Sequence, residues 1–107
     1  MNNIKNISNY TKIGKIPLTQ EPAQEFQITL ENQNCTISVY QKDESVYMDL
    51  YVGENPVFLG VSCLDRVGVK GYDYMDFKGQ LWFEDTNGTL NPDFREFNTR
   101  YILYYGK

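Results

Sequence analysis

Apolar and polar residues alternate with a period of two along much of the chain, and this pattern predicts β-strands with one buried face. The first clear run is 26–30, and a second run, 35–40, follows after the polar turn 31–34. Two alternating runs joined by a short polar turn predict a β-hairpin. The apolar side chains predicted to face the core are Phe26, Ile28, Leu30, Cys35, Ile37 and Val39.

A third alternating run covers 46–52 and predicts another half-buried strand. Its apolar residues are predicted to face the core, which places Tyr47, Asp49 and Tyr51 on the outer face. The outer face of this strand is therefore aromatic and acidic.

Residues 57–64 are almost continuously apolar. Such a run is expected where both faces of a strand are covered, so these residues are predicted to form a central strand. On this interpretation Leu64 belongs to the core. A Leu64→Asp substitution is then expected to unfold the domain, because burying an unpaired charge costs about 3 to 5 kcal/mol.

The last third of the chain contains two β-rich runs, 81–84 and 99–105, on either side of a polar segment, 85–93. The polar segment is rich in turn-forming Asp, Asn, Gly and Pro, so we expect two strands joined by an ordered loop. Residues 91–98 can start a turn of helix but not sustain one.

These patterns predict an all-β protein: a single small β-sandwich or partly open β-barrel of about six to eight mostly antiparallel strands, with little or no helix. Residues 16–107 are expected to form one β domain. Residues 1–15 show neither alternation nor helical period and are predicted to be an extended N-terminal arm. The alternative for this segment is a frayed terminus without a role.

Charge and hydropathy narrow the choice of partners. Ten Lys and Arg stand against fourteen Asp and Glu, for a net charge of -4, and the basic residues are not clustered. Specific binding to a nucleic acid backbone is therefore not expected. No apolar run reaches the length of a membrane helix or resembles a signal peptide, so we expect no membrane partner and synthesis in a cytoplasm.

The chain has no histidine, which removes the commonest general base and metal ligand. We therefore predict that it is not an enzyme and that it needs no cofactor. Cys35 and Cys63 lack the spacing of a zinc site and are predicted to be buried free thiols, with a disulfide as the alternative.

The polar segment 85–93 also offers oxygen donors of the kind that Ca²⁺ prefers, but it departs from the helix-loop-helix calcium pattern. The favoured interpretation is structural: Asx side chains bond their own backbone and Gly88 supplies a positive φ. Arg100 is predicted to lie at the rim of the sheet, in a surface ion pair with Asp85 or Asp93.

Tyrosines supply the candidate contact surface. Tyr72 and Tyr74 share one face of a run that fits an edge strand or protruding loop, and exposed Tyr brings large contact area at low entropic cost. The candidate interface residues are Tyr47, Tyr51, Tyr72, Tyr74 and Arg100. An alternative function, a small carbohydrate-binding β module, would stack sugars on the four tyrosines and on Trp82, although core packing of Trp82 is favoured.

The order and spacing of six segments can be compared with those of known families: 16–19, 21–30, 60–64, 79–88, 92–93 and 99–105. In these segments the chain resembles the small baseplate plug proteins of contractile-tailed bacteriophages. One departure is Asn98, which stands where a glycine is expected before the Thr-Arg pair and which also tolerates a left-handed turn.

The resemblance implies a non-enzymatic structural protein of the virion, located in the tail baseplate. It implies a plug or adaptor at the centre of the baseplate, which seals the tube lumen at the hub and spike complex. The partners would be the hub, spike and tail tube proteins. Around the tail axis we expect few copies, three or six, or a single copy that breaks the symmetry.

Overall fold

The computed structural model describes residues 7–70 and 77–107, and this part of the chain folds into two β-sheets that pack face to face. The sheets have four and three strands, every strand pairing is antiparallel, and no closed barrel forms among the described residues. The predicted fold class, an all-β sandwich or partly open barrel of six to eight mostly antiparallel strands, is confirmed, with two sheets and seven described strands. The run 72–77, predicted to be an edge strand or protruding loop, lies almost wholly outside the described residues.

The strands are β1 (Lys12–Ile16), β2 (Ala23–Leu30), β3 (Gln33–Lys42), β4 (Ser45–Val52), β5 (Asn55–Ser62), β6 (Gln80–Asp85) and β7 (Tyr101–Gly106). Two single turns of 3-10 helix, Ile7–Asn9 and Phe94–Glu96, are the described helical elements. Neither is long and apolar enough to span a membrane.

The four-stranded sheet is a meander in the order β2-β3-β4-β5. The predicted hairpin is its first half, and a two-residue turn with positive φ at Glu31 and Asn32 joins β2 to β3. Positive φ at both central residues is the geometry that matches the twist of a tight hairpin. The predicted third strand is β4, which pairs with β3 along its whole length.

The three-stranded sheet has the order β1-β7-β6, and its two long strands are the runs predicted in the last third of the chain. Residues 12–15, which the sequence pattern assigns to the arm, belong to β1 and pair with β7. Thr11 and Lys107 extend this pairing through reciprocal backbone hydrogen bonds. For the remainder of the arm the prediction stays a prediction.

The core lies between the sheets and contains the side chains that the alternating pattern predicts to face inward. Ile37, Met48 and Leu50 are completely buried, whereas Phe26 and Ile28 at the outer strand are only partly buried. Both cysteines are buried free thiols, as predicted. Burial raises the pKa of the Cys63 thiol, so this thiol stays protonated and unreactive in the folded chain.

Two predictions about the apolar run 57–64 are wrong. β5 is an edge strand rather than a central one, and Leu64, 37% exposed, is not a core residue. The pairing of β5 with β4 shifts register twice, which breaks the regular alternation. Val57 and Phe58 are both buried as a result, while the following Leu59 is 48% exposed.

Candidate interaction surface

The outer face of the four-stranded sheet carries a cluster that we call the tyrosine face: Tyr40, Tyr47, Asp49 and Tyr51. Period-two alternation turns these side chains away from the core, because their neighbours Val39, Met48 and Leu50 point into it. Tyr40 and Tyr47 are direct cross-strand partners, and their rings stack with centroids 6.0 Å apart.

Asp49 organises the centre of the tyrosine face. Its Oδ1 accepts hydrogen bonds from the Tyr40 hydroxyl at 3.0 Å and from the Gly60 backbone N–H at 2.6 Å. Burial raises the pKa of Tyr40 and the bond to Asp49 raises it further, so the hydroxyl remains a donor at neutral pH. Gly60 approaches Asp49 with a φ of 62°, a conformation that favours glycine.

Two shallow grooves flank the tyrosine face, along the outer side of β2 and β3. One, of about 430 Å³, is lined by Ala23, Gln24, Glu25, Ser38, Tyr40 and Asp49. The other, of about 520 Å³, is lined by Gln27, Ile28, Thr29, Asn34, Cys35, Thr36 and Gly53. Neither lining contains a Lys or Arg. The outer face therefore offers amide, hydroxyl and carboxylate groups around rigid aromatic rings.

The structure brings together two of the five candidate interface residues. Tyr47 and Tyr51 lie on the outer face of β4, both half-buried. Tyr72 and Tyr74 lie outside the described residues. Arg100 belongs to a different part of the molecule, the loop between β6 and β7. Sequence reasoning missed Tyr40, although its position directly after Val39 in an alternating run was signal enough to place it outward.

Arg100 pairs with Asp85, one of its two predicted partners, but the pair is not on the surface, because the Arg100 side chain is only partly exposed and the Asp85 side chain is buried. Its Nε and Nη2 donate to the two carboxylate oxygens of Asp85 at 2.8 and 3.0 Å, and the Asp85 side chain is fully buried. The same oxygens accept the backbone N–H groups of Asn87 and Leu90 at 2.9 and 2.8 Å. Hydrogen bonds from Arg100 hold the pKa of Asp85 well below its usual range, although burial opposes this.

The segment 65–66 holds the same loop from the other side. Arg66 donates to the backbone carbonyls of Asp85 and Gly88, at 3.1 and 3.2 Å, and Asp65 accepts the Asp85 N–H at 2.7 Å. Sequence reasoning missed Arg66, since nothing local indicates partners about twenty residues away. The β6–β7 loop is therefore fastened to two separate parts of the chain.

This network gives Asp85, one of the oxygen donors of 85–93, a structural role in the loop. Asp85 bonds its own loop backbone, as the structural interpretation predicts, and its oxygens are already saturated. Within the described ranges no group of three or more Cys, Asp or Glu residues is arranged to hold a metal ion. The described glycines with positive φ are Gly53, Gly60 and Gly79, so the prediction that Gly88 supplies one is wrong.

Trp82 is not available for stacking on a sugar. It is 1% exposed, its indole N–H donates to Glu84 at 2.8 Å, and the rings of Tyr10 and Tyr104 pack against it. The packing interpretation of Trp82 is therefore confirmed, and the carbohydrate-binding alternative loses its strongest aromatic residue.

Comparison with known protein families places the chain in one of them. The family model described as "Cyanophage baseplate Pam3 plug gp18" matches residues 13–107. The chain belongs to this family. No protein in the curated collection searched matches it. The match to the baseplate plug family begins within β1 and runs through β7, so it covers the whole sandwich.

Membership confirms the resemblance carried by the sequence segments. It supports a structural role in a phage tail baseplate, in association with other baseplate components. It also points to a non-enzymatic role. Asn98, the departure from the expected glycine, has a φ of 69°, which is the left-handed turn that this position requires.

Proposed function

We propose that the chain is a plug or adaptor at the centre of a contractile tail baseplate, where it seals the tube lumen at the hub and spike complex. The observation that carries this proposal is the match of residues 13–107 to a baseplate plug family. The chain would be made in the host cytoplasm and built into the tail there. Its partners would be the hub, spike and tail tube proteins.

The tyrosine face supports a role in binding other proteins. Tyrosine is enriched at protein interfaces because it combines a large apolar ring with a polar tip and few rotatable bonds. Here Tyr40 and Tyr47 are ordered in advance by stacking and by the bond to Asp49, so little side-chain entropy remains to be lost on binding. We place the main contact at Tyr47 and Tyr51, with Tyr72 and Tyr74 as further candidates.

Arg100 has a different part in this proposal. Because its guanidinium is committed to Asp85, it stabilises the plug by holding the β6–β7 loop in shape, and we place neither Arg100 nor this loop in the contact with a partner. A plug benefits from such fastening, since a seal must keep its form against pressure from the tube. The N-terminal arm is a further candidate for contact with the hub.

Counting copies in purified particles of the source virus tests the location. Quantitative mass spectrometry against a tail tube subunit should find few copies of the chain: three or six, as symmetry about the tail axis predicts, or a single copy that breaks this symmetry. Complete absence from the particle would overturn the proposal.

A pair of matched variants tests the surface. Tyr47→Lys combined with Tyr51→Lys should remove the chain from particles, because it places charge in an aromatic contact. Asn87→Lys combined with Thr89→Lys adds the same charge at exposed loop positions and should leave incorporation unchanged. Equal incorporation of both double variants would exclude the tyrosine face as the contact, while the copy count would still report on location.

A further inference from the structure

The sandwich has four edge strands, and three of them are protected against pairing with another chain. Residues 66–69 cover β6 through backbone hydrogen bonds from Arg66 and Val69 to Phe83 and Leu81. β5 is interrupted by two register shifts and contains Pro56. The pairing of β1 is also irregular, and β1 carries two lysines. Irregular pairing, proline and lysine are the usual devices that stop edge-to-edge association.

The fourth edge, β2, has none of these devices. It pairs with β3 over eight consecutive residues without a register shift, and its sequence contains neither proline nor a basic residue. Glu25 is its one charged side chain. A long and regular edge of this kind is a template for another strand.

The hydrogen bonds between β2 and β3 show which backbone groups of β2 point away from β3, toward the free edge of the sheet. The Gln41 N–H bonds to the Pro22 carbonyl at 2.8 Å, and alternation along an antiparallel pair then turns every second residue of β2 toward β3. The residues whose N–H and C=O groups point away from β3 are Ala23, Glu25, Gln27 and Thr29. Within the part of the chain that the structure describes, these backbone groups have no hydrogen-bond partner.

The apolar side of this edge is also incomplete. Phe26 and Ile28 point toward the core side of the sheet but are only partly buried, whereas their β3 partners Ile37 and Cys35 are almost fully buried. Burying more of Phe26 and Ile28 would be favourable at roughly 25 cal/mol per Å² of apolar surface. A strand added to β2 can supply that cover.

We propose that β2 pairs antiparallel with β2 of a second copy of this chain, about a twofold axis through Gln27. In this register Phe26 of each copy lies opposite Ile28 of the other, so each half-buried side chain covers its counterpart. Glu25 lies opposite Thr29, so no like charges face each other. The two four-stranded sheets become one continuous sheet of eight strands.

Neighbouring registers are less favourable. Moving the axis to Glu25 sets two carboxylates opposite each other, and moving it to Ile28 sets Glu25 opposite Glu31. An axis at Phe26 leaves Ile28 opposite Gln24. In a register whose axis passes between two residues, each residue with backbone groups that point away from β3 would lie opposite a residue whose backbone groups already bond to β3, so the new hydrogen bonds could not form. The self-complementary register is therefore the one centred on Gln27.

The oligomeric state of the purified chain tests this proposal without reference to the baseplate. Sedimentation equilibrium should show a concentration-dependent dimer. Gln27→Lys sets two lysines against each other at the axis and should weaken the dimer at least about tenfold. Thr89→Lys adds the same charge on an exposed loop and should leave the dimerisation constant unchanged.

Cross-linking with a short bis-maleimide tests the register. A Gln27→Cys variant would place its new thiol beside that of the symmetry mate, whereas the new thiols of an Ala23→Cys variant would be separated by eight residues of strand, roughly 26 Å. The native cysteines are buried, which keeps the background low. Efficient cross-linking at position 27 alone supports the proposal. A monomer at every concentration, equal dimerisation of the two lysine variants, or preferential cross-linking at position 23 would overturn it.

Discussion

Asp85 shows how a residue's setting can differ from what its sequence neighbourhood indicates. Its pairing with Arg100 was one of the predicted possibilities, but the Asp85 side chain is fully buried and the Arg100 side chain only partly exposed, so this is not the surface pair that was predicted. Every carboxylate oxygen has two hydrogen bonds, one from Arg100 and one from the loop backbone. Such a fully satisfied group stabilises the loop, whereas a partly satisfied one would destabilise it.

We expect Asp85→Asn to lower the melting temperature by several degrees, because it leaves Arg100 without its counter-charge and removes one loop acceptor. The matched control is Asp93→Asn, which disrupts an ion pair in which the Asp93 side chain is 25% exposed and its partner Arg95 is 71% exposed. Thermal unfolding followed by circular dichroism should show a much smaller change for Asp93→Asn. Equal melting temperatures for the two variants would contradict the role assigned to Asp85.

Acid should destabilise the protein through the same carboxyl groups. Hydrogen bonds from arginine lower the pKa of both Asp85 and Asp93 in the folded chain. A carboxyl with a lowered folded pKa contributes stability that is present above its unfolded pKa, about 3.9, and is lost as the pH falls toward the folded pKa. Urea unfolding should therefore give a smaller free energy at about pH 3 than at about pH 6. Asp85→Asn should show a smaller acid loss, and a wild-type protein equally stable at both pH values would refute the linkage.

Leu64 and Leu81 allow the same substitution to be compared at an exposed and at a buried leucine. Leu64 is partly exposed, so Leu64→Asp should leave a cooperatively folded protein, contrary to the expectation from its apolar surroundings in the sequence. Leu81→Asp buries an unpaired charge at a completely buried site and should cost about 3 to 5 kcal/mol, enough to unfold a small domain. Far-ultraviolet circular dichroism and urea titration distinguish the two outcomes. An unfolded Leu64→Asp variant would show that the segment after β5 is packed more tightly than the structure indicates.

At the scale of elements, Asn98 links two connecting segments. It lies in the turn that leads into β7, and its side chain bonds to the segment between β1 and β2. Its side chain accepts the Leu18 N–H at 3.1 Å and donates to the Leu18 carbonyl, while its own backbone is left-handed. Leu18 is buried, so this contact fixes where the chain crosses the end of the sandwich. A glycine at this position would satisfy the backbone but could not make either bond.

Two substitutions of Asn98 separate the contribution of its side-chain hydrogen bonds from that of its left-handed backbone conformation. Asn98→Gly should cost about 1 to 2 kcal/mol, because two modest hydrogen bonds are lost while the turn is kept. Asn98→Ala should cost more, since the left-handed conformation adds roughly 1 to 2 kcal/mol for a residue with a Cβ. Urea unfolding measures both, and an Asn98→Ala variant at least as stable as Asn98→Gly would contradict this account.

At the scale of the whole molecule, the two faces of the three-stranded sheet are covered differently. The four-stranded sheet covers the inner face, and the N-terminal segment contributes to the outer face, where Tyr10 packs on Trp82 and Lys12 lies 4.2 Å from the centre of the Tyr104 ring. Lys12 also pairs with Glu84, the acceptor of the Trp82 indole N–H. The start of the described chain is therefore part of the fold.

A chain beginning at Ile16 should accordingly lose stability and expose Trp82. Removing 1–15 takes away most of β1 and leaves the edge of β7 unpaired. Tryptophan emission should shift to longer wavelength and the melting temperature should fall, whereas Ile13→Ser, at an exposed position, should change neither. Unchanged emission in the truncated chain would instead favour the prediction that residues 1–15 as a whole are an extended arm.

Local sequence was enough to predict an all-β sandwich or partly open barrel. Alternation indicated the β2–β3 hairpin and β4, and two β-rich runs around a turn-rich segment indicated the β6–β7 pair. A strand with one buried face records its environment in every second residue, so local sequence carries the information. The same logic placed Tyr47 and Tyr51 on one surface and Cys35 inside. The order of short segments was specific enough to indicate the baseplate plug family.

Tertiary structure alone decided which strands are edges and which polar residues meet. The apolar run 57–64 looks the same in sequence whether a strand lies beside it or not, because strand order depends on distant pairing. The role of β1 depends on β7, almost ninety residues away, and the burial of Asp85 depends on Arg66 and Arg100. These features follow from contacts between distant parts of the chain, which no local pattern encodes.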